Sequence, residues 1–491
     1  MAFVGTEARL PPSQFVEALK TTELNPDSSL ARFRPSFYVV RALEAMSWGK
    51  NAGQWYALRI GIAIILALTV AYVGVLFAGP ILTAGFLTFS LFAGYWADIF
   101  ARAGPGETYA VLGVCLIGLL LGQIRKSTIN LATALGVGVG VMLAAGSKEN
   151  FLVLVFLPIW LLYKGKVKVT SPTGLVMLCT IAYALWIGLT VYARVNAAGA
   201  DVYANPVSLW SRLYLLKDFA TKPMIHIWAA AIFISFMGAM AFWYFQKLSQ
   251  GKHITTEVFA FIRVDGQLID LLRRYGFIQL GLLGIYSLQY FFYSGQWPEG
   301  SSGRYYFPGI LARDLAILAT FALVIKTLKL SKLSFPKALT LEIALAAVLV
   351  YLAPSYLSNR QASIATVQQT AAFFDKYTSI VSFLKDHPEL PVIINTHAAF
   401  DFEPIHSIQI YLKSSGLKNR ISINAKNLSL DNLVSDSLER GLAGVIVGLS
   451  KQDSSGRFVP LQNVDQGKCF SIGLSGPPLK SCEKGVTLWP L

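Results

Sequence analysis

Three short stretches of this chain set charged groups where apolar runs begin or end, and these residues have chemistry to offer. The first, SGQWPEGSSGRYYFPGI over 294–310, is a polar hairpin between two long apolar runs. Its Arg304 can hold two phosphate oxygens at once, while Tyr305 and Tyr306 supply hydrogen bonds and a stacking surface for a sugar. A charge at the edge of hydrocarbon is costly unless something uses it, so an anionic ligand is the expected one. An arginine snorkelling within an aromatic belt would give the same pattern.

In LAAGSKENFLVLVFLP, Lys148 and Glu149 stand side by side at the boundary of an apolar run. Facing a cavity, they would line a substrate path and Lys148 would join the donor-binding set; at a helix start they would serve equally as cap and snorkel. Asp98 in GYWADIFARAGPGET, with Glu107 closing the same loop, could act as a general base or hold a divalent cation. A solvated aspartate beside interfacial aromatics is the plainer alternative. Arg313 and Asp314, adjacent in an apolar run, are expected to form an internal ion pair. His226, His253, His387, His397 and His406 show no metal-ligand spacing. No Ser/His/Asp set and no nucleotide-binding motif can be assembled, which argues against an ATP-driven pump.

The elements that must position these residues follow from composition. Of 491 residues 54% are hydrophobic, 13% aromatic and 14% charged, too apolar for a soluble protein of this length. The net charge of +15 falls mostly in connections between apolar runs, so it reports membrane orientation and not a nucleic-acid partner. About ten segments approach the length needed for roughly 30 Å of hydrocarbon: 56–78, 81–97, 109–124, 129–146, 151–163, 174–195, 225–245, 277–293, 305–325 and 339–357. The Gly79-Pro80 boundary predicts a tight hairpin or a broken pair.

The basic connections all come out on one face, which the positive-inside rule makes cytoplasmic. The opposite, extracytoplasmic face carries 98–107, 147–149, the 295–303 hairpin and everything after 359. Residues 1–55 form two amphipathic helices on that same face, without a signal peptide. A polar segment translocated without a preceding span suggests that one transmembrane helix is missing upstream; an inverted or short-tailed topology is the alternative. EVFAFIRVDGQLIDLLRRY over 257–275 is expected to lie in the cytoplasmic interface as an amphipathic helix. The loop DVYANPVSLWSRLYLLKDF could cover a site, although an interfacial helix is the plainer reading.

From 361 on, strand-like runs at 391–396, 420–424, 444–449 and 469–474 alternate with helix-like runs at 405–415 and 430–440. That alternation predicts a small α/β domain with a largely parallel sheet. The fold class expected is therefore mainly α: a polytopic transmembrane helical bundle over 56–358, preceded by an extracytoplasmic loop and followed by an extracytoplasmic α/β domain over 359–491. Cys115 and Cys179 read as packing residues, and an extracytoplasmic tail would permit a Cys469–Cys482 disulfide.

With these residues in place the chain resembles the GT-C superfamily of polytopic membrane glycosyltransferases, in particular the bacterial relatives of protein mannosyltransferases and aminoarabinose transferases. ARFRPSFYVVRALEAMSWGKNAGQWYALRIGIA is similar to the end of that family's first outer loop. GSKENFLVLVFLP is similar to its acidic segment at the outer end of a later span, and GRYYFPGIL to its arginine-tyrosine-proline entry to a late span. The resemblance implies transfer of a sugar from a polyprenyl-phosphate donor to a lipid, glycan or protein acceptor on the extracytoplasmic side. It implies that Arg304 contacts the donor phosphate, that Glu149 lines the cavity, and that Asp98 or Glu107 is the second-loop acid. The family's acid after the first span has no counterpart here, since Glu7, Glu23 and Asp27 stand in no recognisable motif. That departure points to a truncated start or a lost activity. The tail after 361 lies outside the resemblance and would guide the acceptor. A transporter or flippase of lipid-linked glycans, or a catalytically inactive scaffold, are the rival functions. A flippase would show repeat-related halves, and the sequence has no convincing internal repeat.

Overall fold

A computed structural model of the chain describes residues 9–25, 32–102, 104–124, 129–165, 167–198, 210, 266–292, 307–330 and 335–353. It also describes scattered positions over 357–388, the turn at 415–418 and strand residues between 392 and 481. These residues are mainly helical. The chain divides into two compact units, one made of Met1–Leu30, Tyr38–Trp55 and Ala365–Leu491, the other of Ala31–Phe37 and Tyr56–Ile364.

The helices, in order, are α1 (Phe15–Lys20), α2 (Pro35–Trp48), α3 (Ala52–Ala78), α4 (Pro80–Leu91), α5 (Tyr95–Phe100), α6 (Glu107–Leu119) and α7 (Leu121–Ile124). After them come α8 (Leu131–Ala145), α9 (Phe156–Lys164), α10 (Pro172–Ala198), α11 (Gly266–Phe292), α12 (Gly309–Leu330) and α13 (Phe335–Leu352). Among the described residues α3 and α10 are long and apolar enough to cross a membrane, fewer than the ten expected. Helices α4, α6 and α8 have 12, 13 and 15 residues. At about 1.5 Å per residue they fall short of a full hydrocarbon crossing. Helices α11, α12 and α13 are longer but carry charges, among them Asp270, Arg313, Asp314 and Glu342. The expected span at 225–245 lies outside the described residues.

Several boundaries differ from expectation for local reasons. The run over 109–124 divides at Leu120 into α6 and α7, and the run over 151–163 opens as a 3-10 turn, Glu149–Val155, before α9. The interfacial helix expected over 257–275 does not end as a separate element. Its second half is the start of α11, where an Asp270–Arg274 ion pair at i,i+4 supports the helix and it runs on to Phe292. The tight turn at Gly79-Pro80 is present: Gly79 takes φ +89°, open to glycine, and Pro80 occupies the first turn of α4.

In the helical unit the core gathers fully buried Leu82, Phe86, Ile99, Val111 and Cys115, while Cys179 is exposed on α10. Small residues let backbones approach. Helix α6 packs on α8, where a Cβ at Gly113 would collide with the Gly140 carbonyl and lie 2.8 Å from Ala144 N. Helix α4 packs on α13, where a Cβ at Gly85 would lie 2.7 Å from the Ala346 carbonyl oxygen. Such close crossings let apolar helices gain dispersion contact along their length.

In the other unit Leu10, Ala18, Ala42, Ala45 and Trp55 form a small core. Leu10 N donates to Ala45 O at 3.1 Å and Trp55 Nε1 to Gly49 O at 2.9 Å. The Arg41 guanidinium lies 5.1 Å from the Trp55 ring centroid and 3.4 Å from Glu44. Strands β1 (Val392–Thr396), β2 (Ile421–Ala425), β3 (Ile446–Val447), β6 (Phe470–Gly473) and β7 (Lys480–Ser481) pair in the order β3-β2-β1-β6-β7. The pairings are parallel except β6 with β7, and β4 (Ser450–Gln452) pairs with β5 (Phe458–Pro460) as an antiparallel ribbon. Residues 405–414 and 430–440, where helices are expected, and Cys469 and Cys482 lie outside the described residues, while Ser415 belongs to a turn.

Gly113→Ala is expected to lower stability by about 1–3 kcal/mol through overpacking. Gly61→Ala, where nothing lies within 4 Å of an added Cβ, should be neutral or slightly stabilising. Thermal unfolding of both variants in detergent checks the contrast, and equal losses would contradict the packing described.

Candidate functional site

Helix α6 begins at Glu107, an acid in the first turn where the helix dipole favours negative charge. Helix α8 ends at Ala145, and the chain turns through Gly146 and Ser147 to Lys148, whose backbone is extended (φ −156°, ψ 125°). That extended residue directs the lysine onto α6: Lys148 Nζ lies 2.7 Å from Glu107 Oε1, with the two side chains 7% and 8% exposed. Lys148 Nζ also donates to the Phe307 carbonyl at 3.2 Å, and Asn150 Nδ2 donates to the same oxygen at 3.4 Å. The Phe307 ring is fully buried, 5.5 Å from both Trp96 of α5 and Phe151 of the 3-10 turn.

A lone buried ammonium or carboxylate would cost several kcal/mol, so each of these charges needs the other. The pair has a second effect, because the lysine's remaining reach goes to a backbone carbonyl at the entry to α12. It therefore ties α6, the 147–150 turn and the α12 entry together.

The first residues of α2 and those just before it join the same end of the helical unit. Phe37 N donates to Gly146 O at 3.0 Å, Ser36 Oγ donates to Met142 O at 2.7 Å, and Ser36 Oγ and Tyr183 OH share a hydrogen bond of 2.7 Å. Arg194 Nη1 donates to Arg32 O at 2.8 Å, with its guanidinium 5.1 Å from the Phe33 ring. A Cβ on Gly106 would lie 2.7 Å from Ser147 O and 3.3 Å from the Phe37 ring. The stretches RFRPSF, GSKEN and FPGI thus meet at one place.

Of the residues expected from sequence, Glu107 and Lys148 are brought into direct contact. Glu149 follows them on the 3-10 turn, and its Oε1 is buried with no hydrogen-bond partner among the described residues. Ser147 Oγ, two residues earlier, is in the same situation. Asp98 sits on α5, half-buried, 3.8 Å from Arg102. Arg304, Tyr305 and Tyr306 lie outside the described residues, although three peptide links join Arg304 to Phe307, a reach of at most about 11 Å. Among the described residues no group of three or more His, Cys, Asp or Glu is placed to hold a metal ion.

Two residues at this end carried no signal in the motif reading. Arg59 is fully buried in α3, donates through Nη2 to Tyr109 OH at 2.9 Å, and lies 5.2 Å from that ring's centroid. An arginine inside an apolar run, YALRIGIAII, was the available clue, since intramembrane charges default to function. Asn150 is the other, and a polar amide beside Lys148 and Glu149 in sequence could have been read as part of the same cluster. Comparison of the chain with protein-family models, with curated proteins and with solved structures finds no match in any of the three.

Chemically, the arrangement offers a neutralised, rigid Glu107–Lys148 pair beside a carboxylate oxygen, on Glu149, that is free to accept a proton or a hydrogen bond. Lys148→Met and Glu107→Gln should each destabilise the fold by about 3–5 kcal/mol by stranding the remaining partner. The double variant should cost less than the sum by about 0.5–3 kcal/mol. Thermal unfolding of the three variants reads this coupling, and strict additivity would refute it.

Proposed function

We propose that the chain is an integral-membrane glycosyltransferase that takes a sugar from a polyprenyl-phosphate donor and passes it to a lipid, glycan or protein acceptor on the extracytoplasmic side. In this reading the helical unit is multi-pass, with about ten crossings, and the C-terminal segment is an extracytoplasmic α/β domain. One observation carries the reading. Parts of the three stretches through which the sequence resembles such enzymes, RFRPSF, GSKEN and FPGI, lie far apart in the chain, yet within the helical unit they meet around the Lys148–Glu107–Phe307 cluster.

In this reading Glu149, Glu107 and Lys148 take their roles from that geometry, and Arg304, Tyr305 and Tyr306 take theirs from the sequence resemblance. Glu149, with its unused carboxylate oxygen, takes the proton from the acceptor hydroxyl. The acceptor oxygen attacks the anomeric carbon as the bond from that carbon to the donor phosphate oxygen breaks. The phosphate leaves with the bonding electrons, and Arg304 stabilises its charge, while Tyr305 and Tyr306 hold the sugar. Glu107 and Lys148 act as positioning residues, because Lys148 is committed to Glu107 and to the Phe307 carbonyl. Asp98 is the alternative carboxylate.

Glu149→Gln should reduce sugar transfer in a reconstituted assay by about 10²–10⁴-fold, the usual weight of a general base, with the protein still monodisperse in detergent. Arg304→Ala should abolish turnover in the same assay. Undiminished transfer by either variant removes that residue from the mechanism.

A further inference from the structure

A second polar group is buried in the helical unit, and it is built in a way that a plain internal ion pair does not require. Arg313 and Asp314 are consecutive in α12, and consecutive helical side chains do not face one another. The guanidinium nevertheless folds back, so that Nε and Nη2 both donate to Asp314 Oδ1, at 2.9 and 2.7 Å. Ser90 Oγ of α4 donates to Asp314 Oδ2 at 3.2 Å, and the Ser90 carbonyl accepts from Trp96 Nε1 at 2.9 Å. Both oxygens of the acid are thereby occupied, which fixes the acid and, through it, one edge of the guanidinium.

Exposure divides the pair. The Asp314 side chain is 1% exposed and that of Arg313 is 31% exposed. With the Nε/Nη2 edge spent on Asp314, the edge formed by Nη1 and Nη2 is still open, and Nη1 has no partner among the described residues. That open edge has the two parallel N–H groups that fit a phosphate. Arg313 is the fifth residue of α12, about 6 Å along the helix from its start, which is headgroup depth for a helix entering a membrane from that end.

We propose that Arg313 docks the phosphate of an anionic lipid, with Asp314 and Ser90 as the residues that position its guanidinium. The ligand class is a phosphate mono- or diester on a hydrocarbon anchor. The proposal rests on the membrane placement of the helical unit and not on sugar transfer, because it is read by binding alone.

The test uses the full chain in detergent micelles and a short-chain polyprenyl monophosphate, with binding followed by native mass spectrometry. The double variant Arg313→Gln/Asp314→Asn removes the guanidinium without stranding a buried acid, and should bind about tenfold more weakly, the equivalent of one lost charged hydrogen bond. Arg313→Lys keeps the ion pair and lacks the second edge, so it should weaken binding by a smaller factor and carries the test if the double variant does not fold. Competition by phosphatidylglycerol at similar concentrations assigns the docking to headgroups in general; preference for the polyprenyl phosphate assigns it to a lipid-linked donor. Equal competition by inorganic phosphate overturns the lipid assignment. Affinity unchanged in both variants overturns the role of Arg313, while loss of sugar transfer with binding intact bears only on the catalytic reading.

Discussion

The helical unit depends on one ammonium group shared between a carboxylate and a backbone carbonyl. Lys148 is held by Glu107 at 2.7 Å and holds Phe307 at 3.2 Å, in surroundings from which water is nearly excluded. Each contact is needed by the others. Without Glu107 the buried lysine would lose its 2.7 Å carboxylate, and without Lys148 the Phe307 carbonyl would keep, among the described residues, the weaker contact from Asn150 at 3.4 Å. A polar device at this position fixes register in a way that apolar contacts cannot, since leucine-like surfaces slide past one another at little cost while an unpaired charge does not.

The rest of the unit lets that device form. Close approach of α6 to α8, through Gly113 and Gly140, brings the start of α6 and the end of α8 to the same level, so that Glu107 and Lys148 meet. Gly106 does the same for the 147 turn and the Phe37 ring. The aromatic residues Trp96, Phe151 and Phe307 then close over the polar contacts and lower the local dielectric, which strengthens the ion pair they cover. The Arg59–Tyr109 bond extends the polar layer into α3, and the Arg313–Asp314–Ser90 set forms a further one on α12.

Much of this was legible in the sequence, for particular reasons. The Gly79-Pro80 turn was, because a glycine followed by a proline leaves few backbone choices. Lys148, Glu149, Glu107 and Asp98 were singled out as charges at the edges of apolar runs, and Arg313–Asp314 as an ion pair. The partner of Lys148 was not legible, because Glu107 lies 41 positions away and nothing local encodes that distance. Arg59 was overlooked because hydropathy averages bury a single arginine among isoleucines and leucines. Helix ends and lengths were the weakest part: apolar composition gave no warning of the break at Leu120 or of the 3-10 turn at Glu149–Val155, which depend on packing. The run at 257–275 looked amphipathic by itself, yet its second half continues into α11 because no residue there stops a helix.

The central claim is that the Phe307 entry, held by Lys148, is where a lipid-linked phosphate meets the carboxylate of Glu149. It is tested most directly by a cryo-EM map of the protein in lipid nanodiscs with a polyprenyl-phosphate sugar bound. The account predicts the phosphate beside Arg304 and Phe307 and the sugar against the 147–150 turn, with an acceptor-sized space about 3 Å from the Glu149 carboxylate. A donor bound at the opposite end of the helices, with the Lys148–Glu107 contact absent or facing bulk lipid, would contradict it.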